Sequence, residues 1–186
     1  MSGPMLGTGN ESARQSWWEF GLAVVLIALG TASRLLPHPP NFTPIGALGL
    51  FGGFAMTRLS TAALVPFAAL LLSDWYLGWY TLLPVVYACF GINVLLGRWL
   101  QRRPSVARWL VACLGGSLQF FLITNFGCWL VGYPKTWEGL TQCYVLALPF
   151  YRNQVLGDLL YGGVLCGGLV LARRCLAWAI PTRTTT

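Results

Sequence analysis

Charge is what this chain has least of. Only 9% of its 186 residues are Asp, Glu, Lys or Arg, and just five of those are acidic. A surface so poor in charge cannot keep an ordinary soluble domain in water. There is one histidine, so no second imidazole exists to complete a His-based metal site. The six cysteines, Cys89, Cys113, Cys128, Cys143, Cys166 and Cys175, form no CxxC pair. They read as small buried hydrophobes. Cys128 and Cys143 both fall near one face, where a disulfide is conceivable. HExxH, GxSxG and Walker patterns are absent from the sequence. Nothing here announces a metalloprotease, a serine hydrolase or an ATPase.

What is present is apolar. Hydrophobic residues make up 56% of the chain, and the mean hydropathy is +0.63. The net charge of +7 comes from clusters beside apolar runs. Arg98, Arg102, Arg103 and Arg108 form one, and Arg173 with Arg174 another. Such clusters are the mark of cytoplasmic loops next to membrane helices, not of a nucleic-acid surface. The expected class is therefore an all-α membrane protein, a bundle of six transmembrane helices forming one domain.

Residues 1–16 are polar and read as a disordered tail. The transmembrane domain is expected over 17–175, and a polar tail over 176–186. The first span, Trp17 to about Leu36, has a weak basic start and a poor cleavage match, so an uncleaved helix is favoured over a signal peptide. Ile45 to about Leu59 is short for a span, which needs roughly 20 residues. It either takes in part of the preceding segment or is re-entrant. Further spans are expected at 61–73, 82–100 and 109–131. A loop over 132–142, an interfacial apolar piece at 144–151 and a last span from Asn153 to about Leu171 complete the bundle. Placing both arginine clusters in the cytoplasm puts both termini there too, or moves the N-terminus outside if the segment from Ile45 is re-entrant. The connections at 37–44, 74–81 and 132–152 then face outward.

The first of these connections is unusual. Arg34-Leu-Leu-Pro-His-Pro-Pro-Asn-Phe-Thr-Pro44 carries four prolines, each fixing φ and removing a backbone donor. A stiff polar segment at a membrane boundary suggests a shaped site. Its sequon at Asn41, like the one at Asn10, is discounted: Pro44 follows the first, and the second falls in the expected cytoplasmic tail.

The same outer side collects Arg34, His38, Asn41, Asp74, Asn125, Trp137, Arg152 and Asp158. These are the candidate ligand-binding residues. Lys135, Glu138, Asn153 and the aromatics Tyr76, Trp79 and Tyr133 lie near them. Asp158 would sit about 9 Å down a span beginning at Asn153, at 1.5 Å per residue. Ionisable groups at that depth are costly unless paired or facing water. Arg34 is a natural partner for Asp74, and Arg152 for Asp158. Either pair serves equally well to lock helix ends or to hold a ligand. The aromatics suit an interfacial belt better than a ligand cage. Asn93 is an isolated polar residue in an otherwise apolar inner half. Ala28 and Ala32 form a small-xxx-small pair expected to serve internal packing.

Five motifs, Arg34-x-x-Pro-His-Pro-Pro-Asn-Phe-x-Pro44, Leu72-Ser-Asp74, Thr124-Asn-Phe-Gly127, Tyr133-Pro-x-Thr-Trp-Glu138 and Phe150-x-Arg-Asn-x-x-x-Gly-Asp158, resemble an uncharacterised family of small bacterial integral membrane proteins. The resemblance covers nearly the whole chain beyond its first residues. It implies a six-helix fold in the bacterial inner membrane and leaves the activity open. The architecture is also loosely similar to the substrate-binding S components of energy-coupling factor vitamin transporters. In those, an outward site is capped by the connection between helices one and two. An alanine-xxx-alanine pair in helix one meets the coupling subunit, and Ala28 and Ala32 match it in part.

The expected function is outward-facing capture of a small molecule for vitamin or micronutrient uptake. Arginine would hold an anionic group of the ligand. No cofactor and no catalysis are expected. The expected partners are the ligand, membrane lipids, a transmembrane coupling subunit and ATPases. A structural or assembly role is the alternative. Less favoured is an enzyme acting on lipid head groups through Asp74 and Asp158.

Overall fold

A computed structural model describes residues 8–179, with side chains over 17–175. Six helices follow in order: α1 (Thr8–Leu35), α2 (Ile45–Ala55), α3 (Leu59–Leu77), α4 (Leu83–Arg102), α5 (Val106–Gly132) and α6 (Trp137–Ala179). There are no strands among the described residues. All but α2 are long and apolar enough to cross a membrane. Large apolar side chains point outward along their length, among them Val25, Leu72, Leu95, Leu118 and Leu160. On an integral membrane protein that surface faces lipid, and the inside of the bundle carries the polar groups.

The long helices form an arc, α1–α3–α4–α5–α6, around α2. Helix α2 spans 11 residues, about 16 Å at 1.5 Å per residue and roughly half the hydrocarbon thickness. Every residue from Ile45 to Phe54 is buried. Its glycines explain how neighbours approach so closely. A Cβ on Gly53 would strike the Val94 carbonyl of α4, and one on Gly97 would strike the Leu50 carbonyl of α2. Small residues at membrane helix crossings let backbones touch in this way.

A half-length helix inside a bundle must have its unpaired end groups satisfied without water. At its C-terminal end, Arg98 donates to Met56 O at 2.7 Å and Thr57 O at 3.0 Å. Gln101 donates to Phe54 O at 3.0 Å. Buried Glu19 accepts from the Thr57 N–H at 3.1 Å and from its hydroxyl at 3.0 Å. At the N-terminal end stands the carboxylate of Asp158, against Gly46 and the Ala47 N–H. An acid at the start and a base at the end complement the helix dipole. Arg98→Met is expected to remove the donor from Thr57 O, leave Met56 O to Gln101 alone at 3.3 Å, and cost about 1.5–3 kcal/mol, as loss of hydrogen bonds to charged groups does. Thermal unfolding in detergent reads that loss.

Several expectations are corrected. The polar segment 1–16 is not all tail, because α1 begins at Thr8; residues 1–7 lie outside the described residues. Helix α6 likewise runs to Ala179, into the segment read as a polar tail, with 180–186 outside the description. The piece 144–151 is not a separate interfacial segment. It is part of α6, which is continuous for 43 residues with Pro149 inside it. A proline gives up a backbone donor and crowds the preceding turn. Packing on α5 carries the helix through: Tyr144 donates to Leu122 O at 2.7 Å, and Phe121 sits against Tyr144 and Tyr151. Ala28 and Ala32 do not serve internal packing; both are exposed. Gly30, on the other face of α1, does that work against Leu48 and Ala69.

Candidate functional site

The proline segment forms a fastened cap over one end of the bundle. Pro40 and Asn41 occupy the middle of a turn closed by Phe42 N–H to Pro39 O at 3.0 Å. Asn41 has φ 62°, the one non-glycine residue at positive φ among those described. Proline followed by asparagine at positive φ is the pattern of a type II turn. Asn153 of α6 donates to Pro40 O at 3.1 Å. Phe42 packs against Tyr161 in a tilted pair, ring centroids 5.6 Å apart, and Gly157 leaves room for the Phe42 and Thr43 backbone.

Beneath this cap is a cavity of about 270 Å³. Its polar lining comes from Arg34, His38, Asn41, Tyr80, Gln154 and Asp158, with Phe90 and Phe120 among its apolar walls. A second cavity of about 470 Å³ shares Asn41, Tyr80, Phe120 and Gln154 with the first. It is mostly apolar and aromatic, and Asn125, Cys128, Cys143 and Tyr151 lie along it. The two cysteines are free thiols, and Cys143 donates to Asn125 O at 3.3 Å.

The charged groups divide into two clusters. Arg34 reaches from the last turn of α1 to the C-terminal end of α3. Its Nη2 meets Asp74 Oδ1 at 2.7 Å, and its Nη1 donates to Ser73 Oγ at 2.6 Å. Asp74 is fully buried, and Tyr87 donates to its other oxygen at 3.2 Å. The aspartate thus stands behind Arg34, and only the arginine lines the cavity. In the α3–α4 turn, Tyr80 titrates above its usual 10. Partial burial and the Asp74 carboxylate raise it, while the nearby Arg34 guanidinium pulls the other way. Tyr80 therefore presents a neutral hydroxyl at neutral pH.

The second cluster centres on Asp158, near the middle of α6 and 4% exposed. Ser117 of α5 donates to its Oδ2 at 2.7 Å. Gln154, one turn earlier on α6, faces it as well. Gly46 is glycine because a Cβ there would overlap the carboxylate.

A family model described as a family of unknown function (DUF6580) matches residues 14–180. The chain belongs to that family. No curated protein and no solved structure matches it.

In this DUF6580 chain the expected Arg34–Asp74 pair forms and the expected Arg152–Asp158 pair does not. Arg34–Asp74 is the one ion pair among the described residues. Arg152 is exposed. It lies six residues before Asp158 on one helix, about 240° around the axis, so the two cannot face each other. Trp137 is 76% exposed and outside both cavities. Arg34, His38, Asn41 and Asp158 come together in the first cavity, and Asn125 lines the second. His38 Nδ1 lies 2.6 Å from Leu36 O. Asn125 donates to Phe121 O at 2.7 Å within its own helix.

Sequence reasoning missed Gln154, Tyr80 and Ser117. The spacing Gln154-x-x-x-Asp158 was a usable signal, since residues four apart share a helix face. Ser117 carried none, because only the α5–α6 packing brings it to Asp158. Asn93 is buried, and Gln119 donates to its Oδ1 at 3.3 Å, so it belongs to the α4–α5 contact.

Proposed function

We propose that this membrane protein captures a small molecule in the cavities under its proline cap and delivers it to an uptake system, as a substrate-binding subunit does. One observation carries the reading: a stiff cap, fastened to α6, covers a polar cavity that shares a wall with a larger aromatic one. Binding sites are typically mostly apolar, with a few converging polar groups. The arginine clusters at Arg98–Arg108 and Arg173–Arg174 lie at the other end of the helices. The positive-inside rule makes that end cytoplasmic and the cavities outward-facing, in a bacterial inner membrane. The sequence carries no ATP-binding motif, so energised uptake would fall to a coupling subunit and ATPases. The lack of any nucleophile or metal-hydrolase pattern favours binding over catalysis.

Native mass spectrometry of the gently purified protein tests this. A stoichiometric small molecule is expected on the wild type. Asn125→Ala is expected to lower its occupancy with little loss of stability, because that amide bonds only within α5. Trp137→Ala should leave occupancy unchanged. An empty wild-type protein would favour the structural reading, which the buried Arg34–Asp74 ion pair supports.

A further inference from the structure

The polar cavity is one-sided in what it still offers. Arg34 is already engaged: Asp74 holds Nη2 at 2.7 Å, and Ser73 and Leu70 meet Nη1 at 2.6 and 3.4 Å. An anion binding there would have to draw Arg34 off a fully buried carboxylate, and uncompensated buried charge is expensive. Asp158 has no cation beside it among the described residues. Its neighbours are neutral donors: the Ser117 hydroxyl, the Ala47 N–H and the Gln154 amide. The start of α2 adds only about half a positive charge.

Gln154 gives the second, independent sign. It is 6% exposed and lines both cavities. Its Oε1 is buried with no hydrogen-bond partner. An unpaired buried acceptor costs free energy and is normally satisfied. With its amide nitrogen turned to Asp158, the oxygen is left for whatever enters. A carboxylate and an orphan carbonyl oxygen side by side need a donor-rich positive group. Tyr80, Phe90 and Phe120 form the neighbouring aromatic surface, which suits a cation or a flat ring.

We infer that the site takes an organic ammonium, a protonated amine on a flat apolar body, with its N–H groups on Asp158 and Gln154 Oε1 and its body among the aromatic residues. This deepens the capture reading and rests on it. It replaces the expectation that Arg34 holds an anionic ligand group. A bare metal ion suits the cavity poorly: among the described residues no three His, Cys, Asp or Glu side chains converge, and hard cations take six or more oxygens.

Three probes sharing one ring separate the possibilities: phenethylamine, 2-phenylethanol and phenylacetate, each at millimolar concentration against the purified full chain. Thermal unfolding midpoints are read in potassium chloride and again in sodium chloride. The expected result is a rise with phenethylamine alone. Asp158→Asn keeps the shape and an acceptor for Ser117, and is expected to weaken amine binding at least ten-fold. Gln154→Leu, the second variant, should weaken it several-fold. A shift with phenylacetate or sodium but not with the amine would overturn the inference and leave capture standing. An amine shift unchanged in both variants would also overturn it. A silent panel on a wild-type protein that native mass spectrometry finds empty would bring down both readings.

Discussion

Arg34→Met is expected to destabilise the protein by about 3–5 kcal/mol, the range seen when one partner of a buried ion pair is removed. The reason lies with the residue left behind. The Asp74 side chain is 1% exposed, and without Arg34 only the Tyr87 hydroxyl, at 3.2 Å, faces it. A buried carboxylate left without its cation is costly. The double variant Arg34→Met/Asp74→Leu should regain most of the loss, since apolar replacement of a whole buried pair is often neutral or better. Unfolding in detergent across the four proteins gives the coupling directly. A double variant as damaged as the single would show that Arg34 acts through other contacts, such as Ser73 or Tyr80. Ligand occupancy in the double variant carries separate information. Retained occupancy would assign the pair to holding α1 on α3 and leave recognition to Asp158 and Gln154.

Gly97→Val is expected to be at least as damaging, for a steric reason. A Cβ at position 97 would overlap the Leu50 carbonyl and come within 2.9 Å of Gly53 Cα. These are backbone atoms of a buried helix and cannot turn aside as a side chain can. Overpacking costs typically about 1–3 kcal/mol when side chains can shift, and this substitution should exceed that. Helix α2 would have to move off α4, taking with it the helix start that meets Asp158 and the cavity wall at Gly46. The expected outcome is a small monodisperse fraction on size exclusion and a sharply lower unfolding midpoint. Gly115→Ala is the matched control. Nothing lies within 4 Å of a Cβ there, and alanine is favoured over glycine in a helix by about 1 kcal/mol. That variant should be neutral or slightly stabilised. Equal damage from both would mean that the α2–α4 crossing is not tightly set.

The apolar runs made the membrane class and the all-helical bundle legible, because lipid leaves a spanning chain few alternatives to a helix. That Arg34, His38, Asn41, Asp74 and Asp158 gather toward one end of the bundle was legible from the order of spans alone. So was the Arg34–Asp74 pair, since both residues sit at helix ends on one side. Angular position was not legible where a helix boundary was misplaced. Ending one element at Tyr151 removed the helical phase relating Arg152 to Asp158, and an implausible ion pair followed. The helix in fact runs on through Pro149, carried by its packing against α5.

By itself, then, the sequence determined the solvent this protein lives in, the number of its helices and the end of the bundle toward which most of its candidate ligand-binding residues gather. Those follow from hydropathy, length and the cost of charge in lipid. Only the tertiary structure decided that α2 is a half-length helix at the centre, with Arg98 and Asp158 at its two ends. It alone brought Ser117 and Gln154 to Asp158 and turned Arg152 and Trp137 outward. A contact between distant segments depends on crossing geometry and rotation about each axis, and residues far apart in the chain carry no local mark of either.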